Sequence, residues 1–467
     1  MSPLEISPDD FRRLAAEVME IAANYLATLD SRPIFQSRGE ETERLFHTPL
    51  PEEGLESAAL TALHDVVEHT RTPNGRFFGY VLGSGEPVGA TADLLASVLN
   101  QNLTAWRSAP AGVTIERTVV EWLAQAIGCA GFTGTLTSGG SLANLMALAM
   151  AREAIAPANE PGLAGRRCVV YASQEVHMSI PKSVALLGIG RENLRPLPVG
   201  PDFRLIPPDL ENAIQADKSA GKIPIAVVAS AGTVNTGAVD PLADIAAIAR
   251  RHNLWLHVDG AYGALAAIAA PEKFPGIALA DSISLDPHKW LFQSLDCGCL
   301  LYRDPAAARR AFSHTGDYAK SLSTDPLERF AFFEESIELS RRFRALRLWL
   351  SLRYHGMAAF REAIRRDLEL AQRLAAAISN HPEFELLAPV ELSAVCFRHK
   401  VPGCAAEQDL NQHNARILQR LIERGRVYLS NATVHGQFAL RACIVNHRTT
   451  EAHVDSVIPE VLAAAGA

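Results

Sequence analysis

From Thr91 onward, short β-rich runs alternate with helical stretches, and this alternation constrains the fold more than any other feature. The runs are Arg167–Ala172, Ile225–Ser230, Leu254–Asp259, Ser282–Asp286 and Gly298–Tyr302. They are apolar on both sides of the pleat, as expected for strands of a parallel sheet covered by helices. Leu242–Arg251 reads as an intervening helix. The pattern predicts a doubly wound α/β sheet. Such sheets bind ligands in the crevice outside the carboxyl ends of their strands, so the residues that follow each run carry the functional question.

The flanks read differently. Ser7-Pro8-Asp9-Asp10 is a helix start, with a capping serine, a proline at the first turn and acidic residues at the positive end of the dipole. Phe11, Leu14, Val18, Ile21 and Tyr25 follow at helical spacing. That apolar stripe needs a partner, either this chain's core or a second subunit. Residues 31–56, rich in Pro, Glu and Arg, are expected to be an irregular crossing segment, and Ser313–Glu335 a long functional loop. Arg341–Leu352 returns to helix, and the remainder reads as a smaller α+β domain.

With 467 residues the chain suits two or three domains. Its net charge of −8 and pI near 6.0 disfavour binding to nucleic acid or anionic membranes. No apolar run is long enough to span a bilayer, and the N-terminus lacks the pattern of a secretory signal, so the cytoplasm is expected. Seven scattered cysteines do not form a disulfide framework. Cys297 and Cys299 are expected to be small buried side chains on a strand, and no metal site is expected.

Four motifs follow a run or open a helix. In Ser284-Leu285-Asp286-Pro287-His288-Lys289-Trp290, a proline stops the strand and Lys289 stands at its end. A lone lysine there would be a surface residue. Asp259 closes another strand in His257-Val258-Asp259-Gly260-Ala261-Tyr262, where an aspartate alone is often a turn former. Together the two supply what pyridoxal 5′-phosphate (PLP) requires, an amine and a carboxylate for the pyridine nitrogen. Ser138-Gly139-Gly140-Ser141 opens a helix, Ser141–Glu153, and reads as an anion cradle. His177 follows the run Arg167–Ala172 and Thr233 follows Ile225–Ser230; a satisfied core histidine is the plain alternative for the former. Four chance motifs would not be expected to gather at one edge of one sheet.

These motifs, with Arg341-Arg342-Phe343-Arg344-Ala345-Leu346, make the chain similar to the group II PLP-dependent decarboxylases, from about Phe77 to beyond Arg441. The resemblance implies a PLP-dependent transferase-like fold (fold type I). An N-terminal dimerisation arm would span 1–86, a large PLP domain 87–355 and a small C-terminal domain 356–467. It implies an obligate homodimer that decarboxylates an L-amino acid to an amine and carbon dioxide, through a Lys289 aldimine and a quinonoid intermediate. Asp259 would pair with the pyridine nitrogen, His177 and Ala261 would pack on the two ring faces, and Thr233 would lie near the ring substituents. Gly140, Ser141 and His288 would hold the phosphate, with Asp286 beside it. Tyr318 would reprotonate Cα from a loop, and Arg441 would lie near the substrate.

Two departures stand out. Asp286 takes a place where family members often have asparagine, and a carboxylate there repels the phosphate unless it is paired or turned away. Tyr80 is kept in the substrate pocket, whereas Thr72, Val81 and, from the other subunit, Asn102 and Thr104 replace bulky wall residues. A hydrophobic or polar L-amino acid other than an aromatic one is therefore a real alternative. Other PLP reactions (amine oxidation, transamination, desulfuration), a non-enzymatic binding protein and a phosphate-binding enzyme built on Gly139-Gly140 are the competing readings. The first differs in its products, and the other two leave Lys289 and Asp259 unexplained.

Overall fold

The computed structural model describes residues 2, 4–36, 38–314, 323–401 and 406–466. Its centre is a seven-stranded sheet: β1 (Thr133–Thr137), β2 (Cys168–Ser173), β3 (Leu194–Leu197), β4 (Ile223–Ser230), β5 (Trp255–Asp259), β6 (Ser282–Leu285) and β7 (Gly298–Tyr302). The spatial order is β1-β7-β6-β5-β4-β2-β3. Strands β6, β5, β4, β2 and β3 run parallel. Buried Val, Ile and Leu side chains line both faces, as the apolar runs require. Gly298–Tyr302 departs from the parallel expectation. It pairs antiparallel with both β1 and β6, because the chain returns from the Lys289 turn after only a short connection, with no room for a crossover helix. Because two reversals restore direction, β1 points the same way as β6. Its Gly139-Gly140 turn thus joins the edge where β2, β4, β5 and β6 end.

Strands β1 and β3 were not among the expected runs. Thr133-Gly134-Thr135-Leu136-Thr137 has too few apolar residues to signal a strand, and it is held by pairing with β7. A Cβ on Gly134 would collide with the carbonyl of Leu300, so that pairing also needs the glycine. Segment 31–56 likewise contains a helix, Gly39–Phe46, where irregular chain was expected.

The helix expected at Arg341–Leu352 begins at Arg344 and runs to Asn380, broken at Gly356, whose φ of 75° is non-helical. Beyond it lies an antiparallel sheet of β8 (Phe384–Leu386), β9 (Ala394–His399), β10 (Ser430–Val434) and β11 (Gln437–Cys443), in the order β10-β11-β9-β8. It packs on helices Glu407–Arg424 and Val457–Ala465 through a core of its own.

The N-terminal helix spans Pro8–Thr28, capped by Ser7 as its sequence predicts. None of its residues is buried, and Phe11 and Val18 are 40% and 42% exposed. The chain's own core does not cover the stripe. Among the described residues, no helix is long and apolar enough to cross a membrane.

Candidate active site

The ends of the strands enclose a cavity of about 660 Å³. Lys289, Asp259, His177, Gly139, Gly140, Ser141, Thr233, Ala261, Asp286, His288, Tyr80 and Arg441 all line it. Each of these positions, apart from Tyr80 and Arg441, lies just after a strand of the large sheet or at its last residue. The other two come from elsewhere: Tyr80 precedes the helix Pro87–Leu99, and Arg441 stands on β11.

Lys289 occupies a four-residue helix, Pro287–Trp290, that follows β6. The segment before Pro87 packs on that turn, and a Cβ at Gly83 would collide with the carbonyl oxygens of His288 and Lys289. Lys289 Nζ lies 3.0 Å from Asp286 Oδ2, and His288 Nε2 lies 3.5 Å from the same oxygen. Asp286 is therefore paired, the condition its sequence position demanded. Its Oδ1 is buried without a hydrogen-bond partner. The backbone N–H of Cys297 donates to His288 Nδ1 over 3.2 Å, which fixes the ring. Cys297 and Cys299 are fully buried beside it, as expected of small side chains at a strand.

Asp259 ends β5, 7% exposed. Ser284 Oγ and the Ala261 N–H donate to its Oδ1 at 3.1 and 3.2 Å, and Asn144 Nδ2 donates to Oδ2 at 2.9 Å. Three donors fix the carboxylate at the cavity floor, in the arrangement a pyridine nitrogen needs.

The helix opened by the glycines spans Gly140–Ile155. An added Cβ on Gly140 would lie 2.6 Å from Ala261 Cβ and 3.2 Å from Asp286 Oδ2, so only glycine leaves the helix N-terminus open. Ser141 is exposed at this end. The Gly140 turn, Ser141 and His288 thus fit a phosphate, and the orphaned Asp286 oxygen fits a donor brought by the ligand or a proton.

His177 Nδ1 is 2.8 Å from Ser179 Oγ. Burial lowers the pKa of His177, with Asp259 opposing that shift and Lys289 adding to it. Thr233 is buried, and its hydroxyl meets that of Thr236 at 2.9 Å. Arg441 donates from Nε to the Asn235 carbonyl and from Nη1 to the Tyr80 carbonyl, each at 2.9 Å, while its buried Nη2 has no partner. Tyr80 adopts a φ of 58°, rare for a tyrosine, and its hydroxyl lies 3.1 Å from that of Tyr428. Asn102 and Thr104 do not line this cavity. Asn102 Oδ1 accepts the Arg341 N–H, and the Thr104 carbonyl accepts the Phe333 N–H. Tyr318 lies outside the described residues.

Sequence reasoning missed several residues. Val234, Asn235, Leu295, Met178, Ser430 and Asn431 also line the cavity. Asn144, Ser179 and Ser284 support its polar groups. Asn144 is four residues after Gly140, one helical turn on, and that spacing was the available signal.

Comparison with known proteins agrees with this geometry. Residues 40–400 match the family model of the pyridoxal-dependent decarboxylase conserved domain. The aromatic-L-amino-acid decarboxylase of Bacillus atrophaeus is 33% identical, over 99% of this chain and 97% of its own length. The phenylacetaldehyde synthase of Petunia hybrida is 32% identical, over 96% of this chain and 93% of its own. The crystal structure of Oryza sativa TDC with PLP and tryptamine superposes with a TM-score of 0.92 at 30% identity, covering 100% of this chain and 99% of that one. This chain belongs to the pyridoxal-dependent decarboxylase family: it is a PLP-dependent carboxy-lyase of fold type I that removes the carboxyl group of an amino acid.

Proposed function

We propose that Lys289 carries PLP, with Asp259 against the pyridine nitrogen, His177 and Ala261 on the two ring faces, and Thr233 beside the ring substituents. Gly140, Ser141 and His288 hold the phosphate. The observation that carries this reading is the convergence of Lys289, Asp259, His177 and the Gly139-Gly140 turn on one cavity. When bound, PLP takes up the electron pair left as the bond between Cα and the carboxylate breaks. Asp259, fixed by its three donors, keeps the ring nitrogen protonated. Carbon dioxide leaves and Cα gains a proton, for which Tyr318 is the proposed source.

The proposed substrate is an L-amino acid with an aromatic or other hydrophobic side chain. Tyr80, Val81, Met178, Val234 and Leu295 on the cavity wall support it, as do the aromatic substrates named for its relatives. Arg441 would turn its unpartnered Nη2 to the substrate. The active form would be a homodimer in which Asn102 and Thr104 of one subunit complete the pocket of the other. The uncovered stripe on Pro8–Thr28 supports this, as do Leu94, Leu95, Val98 and Leu99, each at least 45% exposed. The boundaries at 86/87 and 355/356 and a cytoplasmic location belong to the same proposal.

The test is an absorbance spectrum of the PLP-loaded protein, then trapping of carbon dioxide with each L-amino acid. A visible band lost in Lys289→Ala, with equal amounts of carbon dioxide and amine, is the expected result. No band after PLP is added overturns the assignment of Lys289. The petunia relative supplies the second reading: aldehyde and peroxide in place of amine would make this chain an aldehyde-forming enzyme.

A further inference from the structure

Behind the cavity wall runs a chain of polar groups that has a direction. Trp255 Nε1 donates to Ser282 Oγ over 2.8 Å, and Ser282 Oγ lies 2.9 Å from His257 Nδ1. His257 Nε2 lies 2.8 Å from Asn144 Oδ1. Asn144 Nδ2 donates to both Asp259 Oδ2 and Ser179 Oγ at 2.9 Å. Ser179 Oγ lies 2.8 Å from His177 Nδ1.

The two kinds of end settle every proton between them. An indole N–H cannot accept, and a carboxylate cannot donate. Asp259 therefore requires the amide nitrogen of Asn144 to face it, which leaves Asn144 Oδ1 facing His257 as an acceptor. His257 Nε2 must then carry a proton. Burial drives the pKa of His257 down to about 4, so the ring is neutral and its Nδ1 is bare. That bare nitrogen accepts the Ser282 hydroxyl, which Trp255 has already turned by donating to its oxygen. On the other branch, Ser179 Oγ receives an amide proton from Asn144 and passes its own to His177 Nδ1. The Ser179 backbone N–H also points at Nδ1, at 3.3 Å. Two donors converge on one ring nitrogen, so the proton of neutral His177 sits on Nε2. No described residue bonds to that nitrogen, and His177 lines the cavity.

We propose that Asn144 and His257 are positioning residues of the decarboxylation: the one-way chain they close holds His177 as a fixed Nε2–H donor toward the substrate and ties that ring to the Asp259 carboxylate. The inference rests on the proposed placement of His177 against the PLP ring, and takes the amino acid bound to that ring as the partner of its free Nε2. With its proton on Nε2, the ring offers a hydrogen bond to a substrate oxygen. With the proton on Nδ1 it would offer a lone pair and repel that oxygen. His257→Phe removes the donor to Asn144 Oδ1 and leaves that oxygen buried without a partner; the amide, then held on one side only by Asp259 and Ser179, shifts and loosens the Ser179 bond that fixes His177.

Neutron diffraction from deuterium-exchanged crystals of the PLP-loaded enzyme tests this directly. Deuterium is expected on His177 Nε2 and His257 Nε2 and absent from both Nδ1 atoms. Deuterium on His177 Nδ1 overturns the proposal, whatever the activity. In solution, His257→Phe is expected to lower kcat roughly 10–100-fold with little change in KM or in the cofactor band, a range taken from outer partners that orient the ligands of metal sites. His257→Gln, whose amide can donate to Asn144, is expected to recover most of the loss. A His257→Phe enzyme with unchanged kcat refutes the role, and should that variant not fold, the neutron map still decides. An enzyme with the expected deuterium positions that releases no carbon dioxide from any amino acid would sink the functional reading and leave the chain intact.

Discussion

Lys289 Nζ and Asp286 Oδ2 lie 3.0 Å apart, so the lysine proposed to carry the cofactor is ion-paired to the residue three positions before it. The same carboxylate borders the glycine turn proposed for the phosphate. Binding PLP must part the lysine from its partner and bring a phosphate toward a buried carboxylate. Both effects oppose binding. Asp286→Asn is therefore expected to tighten PLP binding roughly 3–10-fold, about 1 kcal/mol, as part of a partly screened charge interaction is relieved. Titration of the apo protein with PLP, followed by absorbance, measures it. Weaker binding in the variant would mean that Asp286 contributes a bond to the cofactor.

Gly140 sits where a side chain has no room. Gly140→Ala would drive its methyl into Ala261 and narrow the helix N-terminus. The expected result is a fall in PLP affinity of about 10–100-fold together with a lower melting temperature of the apo protein, since overpacking against Ala261 costs the fold about 1–3 kcal/mol. Equal affinity would place the phosphate elsewhere.

The arginine-rich stretch that helped mark the family is structural in its first member. Arg341 is 2% exposed and pairs with Glu116, 1% exposed. It also donates to the carbonyls of Leu103 and Leu136, and so ties β1 to the helix Pro110–Ala126. Glu116→Gln leaves the buried guanidinium only the Glu338 carboxylate, 3.9 Å away and shared with Arg344, which is expected to cost up to about 3–5 kcal/mol of stability. Denaturant unfolding of the single variant reads this, and a loss under about 1 kcal/mol would show that Glu338 or water compensates the charge.

Asp367 is 1% exposed in the helix Arg344–Asn380, and burial raises its pKa to about 8. Its Oδ2 accepts the Asn446 N–H. The folded state thus keeps a proton that the unfolded chain gives up above pH 4, and stability falls as the pH rises from about 4 to 8. Asp367→Asn lacks this fall. Relative to the parent, the variant is expected to gain on the order of 1–3 kcal/mol between pH 5 and pH 8, seen as a rising difference in melting temperature. A difference that does not vary with pH would show Asp367 to be ionised throughout.

Much of the site was legible in the sequence because its residues sit at fixed offsets from apolar runs. Strand, stop and lysine in Ser284–Trp290, and strand and aspartate in His257–Tyr262, are local patterns, and the chain direction alone sends their ends to one edge of a parallel sheet. The helix Ser141–Glu153 was likewise set by its glycines and fell within the observed Gly140–Ile155. Local information failed where pairing outweighs propensity. Thr133–Thr137 is a strand because β7 lies beside it, and Gly298–Tyr302 is antiparallel because its connection is short.

The sequence by itself determined the fold class, the cofactor and the residues at the strand ends, since each depends on a period or an offset that a single segment carries. Only the tertiary structure decided which groups meet across segments. It paired Asp286 with Lys289 and brought Arg441 of the small sheet to the cavity. It also joined Trp255, Ser282, His257, Asn144, Ser179 and His177 into one chain of bonds. A hydrogen bond depends on distances of a few tenths of an ångström between atoms far apart in sequence, and those distances exist only once the core has packed.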